Sequence, residues 1–234
     1  MAIKIYYAYK ATVWGKEPVS ILKKHWKDRN REEWKNDFRA CPSVKNFYYN
    51  VYGIPALRDY HLNISSTETR SKLLNQEYYD REVVVTSQDK RSIQYGTIFL
   101  FTEQKSLLVT ASYPPFLEKT IQHANYITGQ IDIGKYPRGL QASIEFLHDT
   151  DWNIQKDDLL WYIKFHTKEK IKFIPFMLTE KIITLFRHAP GLKYITEREK
   201  PFTSLIPFYN SIKNAGIKKM LAKEIKQNLS GDYA

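Results

Sequence analysis

The stretch "DDLLWYIKFHTKEKIKFIPF", residues 157–176, decides the fold. Its first half alternates between two sets of side chains, and a period of two is the pattern of a β-strand. One set is Leu159, Trp161, Ile163 and Phe165, and the other is Leu160, Tyr162, Lys164 and His166. The sequence predicts that residues 154–178 form a hairpin whose first set is buried and whose second set is displayed to solvent or to a partner.

The same period recurs along the middle of the chain. Further strand candidates occupy residues 60–65, 82–86, 97–101, 107–112, 129–134 and 140–147, with turn residues between them. No helical pattern of ten or more residues separates these segments, which argues against a parallel βαβ sheet. The pattern predicts an antiparallel β-sandwich, jelly-roll-like, over about residues 58–178.

The flanks of this core have a different period. "IKIYYAY" (3–9) reads as a strand, and residues 28–53 read as helical, with a break at Pro42. Residues 179–188 read as a short helix with Thr179 as its N-cap, and Pro207 can open a final helix. The apolar stripe of that final helix is Phe208, Ile212, Ile217, Met220, Leu221 and Ile225. We therefore expect one β-rich α+β domain in three parts: 1–57 (strand and helices), 58–178 (sandwich) and 179–234 (helical extension).

Composition sets limits on the class of protein. The 234 residues include one cysteine, Cys41, so a disulfide framework is impossible, and Cys41 is expected to be a small buried hydrophobe. No window holds 18 consecutive apolar residues, so we expect no contact with a membrane. A single cysteine fits a reducing cytoplasm or a particle assembled in one.

The net charge of +11 is concentrated at the two ends of the chain. It is +5 in residues 1–40, +5 in residues 193–228 and only +2 in residues 41–192. Five lysines decorate the final helix: Lys213, Lys218, Lys219, Lys223 and Lys226. Two interpretations stay open, a solvated lysine face on a docked helix and a basic arm that binds nucleic acid or an acidic partner.

Metal and catalytic motifs are missing from the sequence. Non-haem iron sites need a histidine followed two residues later by a carboxylate, and none of the six histidines has one. His148, Asp149 and Asp151 are close in sequence, but Asp149–Asp151 is good turn chemistry at a strand end. The usual signatures of phosphate-binding loops and hydrolases are also missing. We therefore expect no cofactor, no metal and no catalytic residue.

Contact residues are easier to nominate than catalytic ones. Arg138 follows Tyr136 and Pro137 on a rigid turn, and arginine beside tyrosine is common at interfaces. The glycines of "GQIDIGKYPRGL" precede a strand rather than a helix, so hairpin turns explain them better than phosphate binding. Tyr136, Tyr162, Lys164 and His166 are the interface candidates, and Arg138 joins the five lysines as a candidate for binding an acidic partner or nucleic acid.

Several segments resemble an uncharacterised protein family of large, contractile-tailed phages. They are "IKIYYAY", "FRACPSVKNFYYNVYGIPALRDYHLNI", "GTIFLFTEQKSLLVTASYPPFL", "ITGQIDIGKYPRGLQASIEF" and "DDLLWYIKFHTKEKIKFIPFML", which together cover most of residues 1–178. The resemblance implies a phage origin and a soluble, β-rich protein, and supplies no functional residue. Tyr136 stands where that family would carry tryptophan. The order of the turn and the long strand also resembles cupin-like sandwiches, whose metal residues are not matched here.

These observations favour a non-enzymatic phage protein that acts by protein–protein contacts, as a virion component or accessory factor. Its partners would be other phage proteins or a host protein, its location the host cytoplasm or the virion, and exposed apolar strands would favour homo-oligomers. One alternative is a nucleic-acid-binding regulator or nuclease that uses the basic ends. A second is a cupin-like metalloenzyme.

Overall fold

The computed structural model describes residues 2–10, 16–26, 41–71, 83–85, 90–112, 124–188 and 215–229. Fourteen strands are present in that part of the chain: β1 Ile3–Tyr9, β2 Val19–Ser20, β3 Val51–Pro55, β4 Tyr60–Ile64, β5 Thr69–Ser71, β6 Val83–Val85, β7 Ser92–Phe101, β8 Leu108–Ser112, β9 Ala124–Tyr126, β10 Gly129–Asp132, β11 Arg138–Phe146, β12 Thr150–Ile154, β13 Leu159–Phe165 and β14 Ile171–Pro175. The helices are α1 Ile21–Trp26, α2 Pro42–Phe47, α3 Glu180–His188 and α4 Ala215–Gln227.

The chain is a β-rich α+β sandwich, as the sequence predicts. The first sheet has the order β14-β1-β7-β11-β9, and β6 pairs with the part of β7 that β1 leaves uncovered. The second sheet has the order β10-β8-β13-β3-β2, and a smaller third sheet has the order β12-β4-β5. Every pairing is antiparallel except that of β1 with β14, the two strands that lie farthest apart in sequence.

Successive strands repeatedly change sheets, which is the jelly-roll character of the fold. β7 and β8 lie in different sheets, and so do β10 and β11. β13 lies in the second sheet whereas β14 lies at the edge of the first, so the predicted hairpin of residues 154–178 is wrong. The connection after β13 is a corner that carries the chain across the sandwich.

One hydrophobic cluster fills the space between the sheets. It takes side chains from strands of all three sheets, including Ile5, Tyr95, Ile144 and Trp161. The cluster extends beyond the predicted 58–178, because β1 and β3 also contribute. Residues 51–53, which we expected to continue a helix, form β3 instead, because Ile54 and Ala56 join this core.

Helices cover the outer faces of both large sheets. α3 and α4 place Ile182, Phe186 and Leu221 against the first sheet, where they meet Tyr6 and Phe101. α3 starts as predicted, since the Ile182 amide donates to the Thr179 hydroxyl at 3.2 Å. In α4 Leu221 and Ile225 are buried, but Met220 of the predicted apolar stripe is 51% exposed. Phe208 and Ile212 of that stripe, and the predicted start at Pro207, lie outside the described residues.

The second sheet is covered near α1 by a smaller cluster. Ile21 and Val51 pack there against Leu159 and Tyr162 of β13. β13 is therefore buried on both faces along most of its length, with the other cluster receiving Leu160, Trp161 and Ile163. The predicted display of Leu160 and Tyr162 is wrong, because an apolar layer lies on each side of the sheet. The pairing with β3 shifts register between Leu159 and Trp161, which interrupts the strict alternation.

Candidate functional site

Within the described ranges, two exposed aromatic residues lie where α2 and the turn after it meet the end of β13. Asn50 holds this turn: it is buried, has a left-handed φ of 56° and donates from Nδ2 to the carbonyls of Thr167 and Glu169 at 2.9 and 2.8 Å. Asparagine tolerates that backbone conformation better than most residues do. The turn is thereby fixed to the corner that follows β13.

The side chains around this turn combine aromatic and basic character. Phe47 is 59% exposed, and the Lys164 Nζ lies 4.1 Å from the centroid of its ring, within cation–π range. Tyr49 is 40% exposed and donates from its hydroxyl to the Lys168 carbonyl at 3.2 Å. We name Phe47, Tyr49, Lys164, His166 and Lys168 the aromatic–basic corner.

A polar network extends from this corner across the second sheet. The His166 Nε2 lies 2.7 Å from the Thr110 hydroxyl, which also accepts a hydrogen bond from the Gln130 side chain at 3.0 Å. With Gln130 as donor to Thr110, the Thr110 hydroxyl is free to donate to the His166 Nε2. This arrangement suits an imidazole whose proton is on Nδ1, and it holds an exposed ring in one orientation.

The lysines of α4 divide into two groups. Lys218 donates to the carbonyls of Gln104 and Gly134, and Lys226 pairs with Glu103 at 2.7 Å. Burial lowers the pKa of Lys218, and the hydrogen bond with Glu103 raises that of Lys226. Lys219 and Lys223 are exposed, while Lys213 lies outside the described residues. Two of the five predicted binding lysines thus attach α4 to the sandwich.

The turn that receives Lys218 is organised by Asp132. Its carboxylate accepts hydrogen bonds from the Leu107 and Gly134 amides at 2.8 and 3.0 Å, and also from the Ser106 hydroxyl. Burial alone would raise the pKa of Asp132, but the hydrogen bonds from Ser106, Leu107 and Lys135 outweigh it and lower that pKa. The loop at Ser106, the turn at Asp132 and α4 are therefore joined by one set of exposed and partly buried polar contacts.

The remaining interface candidates lie apart from the corner. Arg138 and Tyr136 are half-buried, and the Arg138 Nε donates to the Gly139 carbonyl at 3.3 Å. Tyr162, another candidate, is buried in the cluster under α1 and has no surface to offer a partner. Of the four predicted interface residues, the structure brings together only Lys164 and His166.

Sequence reasoning missed Phe47 and Tyr49. Both fall within the segment 28–53, whose helical period indicated a buried stripe. The dipeptide Asn50–Val51 could have indicated that the helix ends before residue 50, since asparagine favours a left-handed turn and valine favours a strand. A helix that ends before Asn50 leaves Phe47 and Tyr49 at its exposed C-terminal end.

The other described residues give little indication of a metal site or a catalytic site. That part of the chain contains no group of three or more histidine, cysteine or acidic residues that could hold a metal ion. Asp149 accepts a hydrogen bond from the Ser66 amide, and Asp151 of β12 accepts one from its cross-strand partner Asn63 of β4, so both have structural roles. Cys41 is exposed rather than buried, and hydrogen bonds from the start of α2 at Ser43 and Val44 lower its pKa.

Comparison of the chain with protein-family models, curated proteins and solved structures finds no match. No helix within the described ranges is long and apolar enough to cross a membrane.

Proposed function

We propose that this protein acts without catalysis, through contacts that the aromatic–basic corner makes with an acidic surface of another protein. The observation that supports this proposal is the exposure of Phe47. More than half of this residue is exposed, the turn after α2 is held by hydrogen bonds, and Lys164 lies against the Phe47 ring. The sequence resemblance favours a phage setting, in which the protein serves as a virion component or an accessory factor. The partner is then another phage protein or a host protein.

The fixed position of its exposed aromatic ring favours a contact role for the corner. Aromatic residues dominate binding energy at interfaces, and a side chain already held in place loses little entropy when a partner covers it. Asn50 and Tyr49 fix the turn through hydrogen bonds to the corner after β13. Phe47 is therefore presented in a fixed position without help from a partner.

Charge favours an acidic partner. Lys164 and Lys168 lie in the corner with one acidic neighbour, Glu169, in the same turn, and the chain as a whole carries +11. Opposite charge on the partner would speed association and set its orientation. We expect the interaction to weaken as salt is raised, with most of the change in the association rate.

Photo-crosslinking from position 47 tests the proposal. The photoreactive residue p-benzoylphenylalanine replaces Phe47 in one variant and Leu147, which is 46% exposed and outside the corner, in a matched control. We expect a discrete protein adduct from position 47 in infected cells or purified particles, and none from position 147. Equal adducts from both positions, or none from position 47, would contradict the proposal.

A binding measurement with the identified partner sharpens the test. Phe47→Ala should cost more than about 1 kcal/mol of binding free energy if the ring is a hot spot. Met220→Ala removes another exposed apolar side chain, 51% exposed on α4, and should leave affinity unchanged. Equal affinities for the wild type and Phe47→Ala would remove the corner from the interface.

Nucleic-acid binding is the second candidate, and exposed Lys219 and Lys223 favour it. It predicts a salt-dependent affinity for DNA or RNA that falls in a Lys219→Ala/Lys223→Ala variant. Adducts of position 47 with nucleic acid rather than protein would support this candidate over the first. The cupin-like metalloenzyme stays a sequence prediction, and metal analysis of untagged protein tests it.

A further inference from the structure

β10 lies at one edge of the second sheet, and its backbone groups alternate in direction. β8 pairs with one side of β10, with Ile131 opposite Val109, and no other strand pairs with β10 in the described part of the chain. The Ile133 amide donates to the Leu107 carbonyl at 2.9 Å. Hydrogen-bonded pairs alternate along an antiparallel ladder, so Ile131 and Gly129 also face β8 and the residues between them face outward.

Four backbone groups of this edge therefore point away from the sheet. They are the N–H and C=O of Gln130, the C=O of Thr128 and the N–H of Asp132. Exposure agrees with this arrangement, because Gly129 and Gln130 are exposed and a Cβ built on Gly129 would have nothing within 4 Å. The edge thus offers two donors and two acceptors to an added strand.

These four groups are complementary to the same four groups of a second copy. A twofold axis perpendicular to the sheet at Gln130 would place two β10 strands side by side in antiparallel orientation. Each Gln130 amide would donate to the other Gln130 carbonyl, and each Asp132 amide would donate to the Thr128 carbonyl of the other copy. The Asp132 carbonyl, which already accepts from the Lys135 and Tyr136 amides at 3.2 and 2.8 Å, is not needed.

The sequence of β10 lacks the residues that usually prevent edge pairing. Lysine and proline on an edge strand oppose pairing, and β14, at the edge of the first sheet, has Lys172 and Pro175. β10 has neither residue type. Its one charge, the Asp132 carboxylate, lies 3.5 Å from the Lys135 ammonium and accepts a hydrogen bond from the Leu107 amide. A second copy would therefore meet no net charge at this edge.

We propose that two copies of this protein pair through their β10 edges and form one continuous antiparallel sheet with five strands from each copy. The contact is small, so the dimer is weak and forms reversibly as the protein is concentrated.

The pairing would place two aromatic–basic corners on one face of the continuous sheet. Lys164 is opposite Thr110, and Thr110 is opposite Gln130, so the three residues lie in one row across the sheet. The row continues into the second copy, and five strand spacings separate the two Lys164 Cα atoms by about 24 Å. Bivalent binding of a partner by the two corners, unlike the pairing itself, rests on the proposed function.

Sedimentation velocity over a range of protein concentrations tests the pairing. We expect the sedimentation coefficient of the wild type to rise with concentration toward that of a dimer. Gln130→Pro removes the outward N–H without breaking a hydrogen bond within one copy, and should weaken the dimer about thirtyfold, the effect of two neutral hydrogen bonds. Gln130→Ala keeps the backbone N–H and should dimerise as the wild type does.

A second substitution makes the test independent of whether β10 tolerates proline. Gly129→Lys adds a charged side chain where one copy has open space, so the variant should fold. Two lysines would lie close to the twofold axis and should reduce dimerisation, as edge lysines do in natural sheets. Circular dichroism and the thermal midpoint of each variant report whether it is folded.

Disulfide trapping tests the register. In a Cys41→Ser background, Gln130→Cys places two thiols at the axis, where Cα atoms of a hydrogen-bonded pair are about 5.5 Å apart and a disulfide can form. Lys135→Cys is the control, because Lys135 is exposed but lies beyond the end of β10. We expect a covalent dimer from position 130 and none from position 135.

Four results would overturn the proposal. They are a wild type that stays monomeric at every concentration, a dimer that folded Gln130→Pro or Gly129→Lys leaves intact, equal weakening by Gln130→Ala and Gln130→Pro, and equal disulfide yields at positions 130 and 135.

Discussion

Replacing Lys218 by methionine tests whether this lysine of α4 has a structural role rather than a role in binding a partner. Methionine keeps an unbranched apolar stem but removes the ammonium group that donates both hydrogen bonds, so the carbonyls of Gln104 and Gly134 lose their partner. Gly134 is buried whereas Gln104 is exposed, so water can replace the ammonium at Gln104 but not at Gly134. The prediction depends chiefly on the bond to Gly134.

The expected loss of stability follows from that asymmetry. A hydrogen bond to a charged group contributes about 1.5–3 kcal/mol, and the buried Gly134 carbonyl should retain most of that value. Partial burial of the ammonium, which lowers the pKa of Lys218, offsets some of the gain. We expect Lys218→Met to reduce the free energy of unfolding by about 2 kcal/mol.

Urea denaturation followed by tryptophan fluorescence measures this change. Lys219→Met is the matched control, because Lys219 is the next residue and is exposed, and it should change stability by no more than about 0.5 kcal/mol. Equal stability of Lys218→Met and wild type, or equal loss in both variants, would refute the structural assignment. A nucleic-acid assay should therefore vary Lys219 and Lys223 and leave Lys218 intact, since loss of α4 would imitate loss of binding.

Three further changes have expected outcomes. Folding lowers the pKa of Asp132, so the stability that its carboxylate contributes is present above the unfolded-state pKa and is lost as pH falls through the folded-state pKa. The urea midpoint of the wild type should therefore fall more steeply between neutral pH and about pH 2 than the midpoint of Asp132→Asn does. Gly134→Ala would place a Cβ 2.7 Å from the Ser106 Cα and should cost about 2 kcal/mol by thermal unfolding, whereas Gly129→Ala has nothing within 4 Å and should cost far less. Tyr9→Phe removes the unsatisfied hydroxyl and should stabilise the protein by about 1 kcal/mol, and a loss of stability instead would mean that the hydroxyl already has a partner.

Hydrophobic period predicts the class of fold but not the sheet in which a strand lies. The segments 3–9, 97–101 and 159–165 are strands at the predicted positions. The five-residue connection 166–170 suits a hairpin or a sandwich corner equally well, and only tertiary packing decides between them. The parallel pairing of β1 with β14 joins residues about 170 positions apart, so local pattern carries no signal for it.

Burial on two faces removes the information that alternation carries. Tyr162 has a polar hydroxyl and falls in the set that contains Lys164 and His166, yet the layer under α1 covers it. A strand between two apolar layers reads as a continuous apolar run, as "LLWYI" does, and either set of side chains can face the larger core. The predicted burial of Leu159, Trp161, Ile163 and Phe165 is confirmed. The predicted display of the other set holds only from the end of β13 onward, where Lys164 is half-buried and His166 is exposed.

The lysine stripe of α4 illustrates a similar limit. Lys218 and Lys219 are neighbours of the same type, and their different roles depend on how α4 is rotated against the first sheet. That rotation is set by Leu221 and Ile225 in the cluster with Phe101. The sequence indicates an amphipathic helix, but which lysine faces the Gln104 and Gly134 carbonyls follows only from docking.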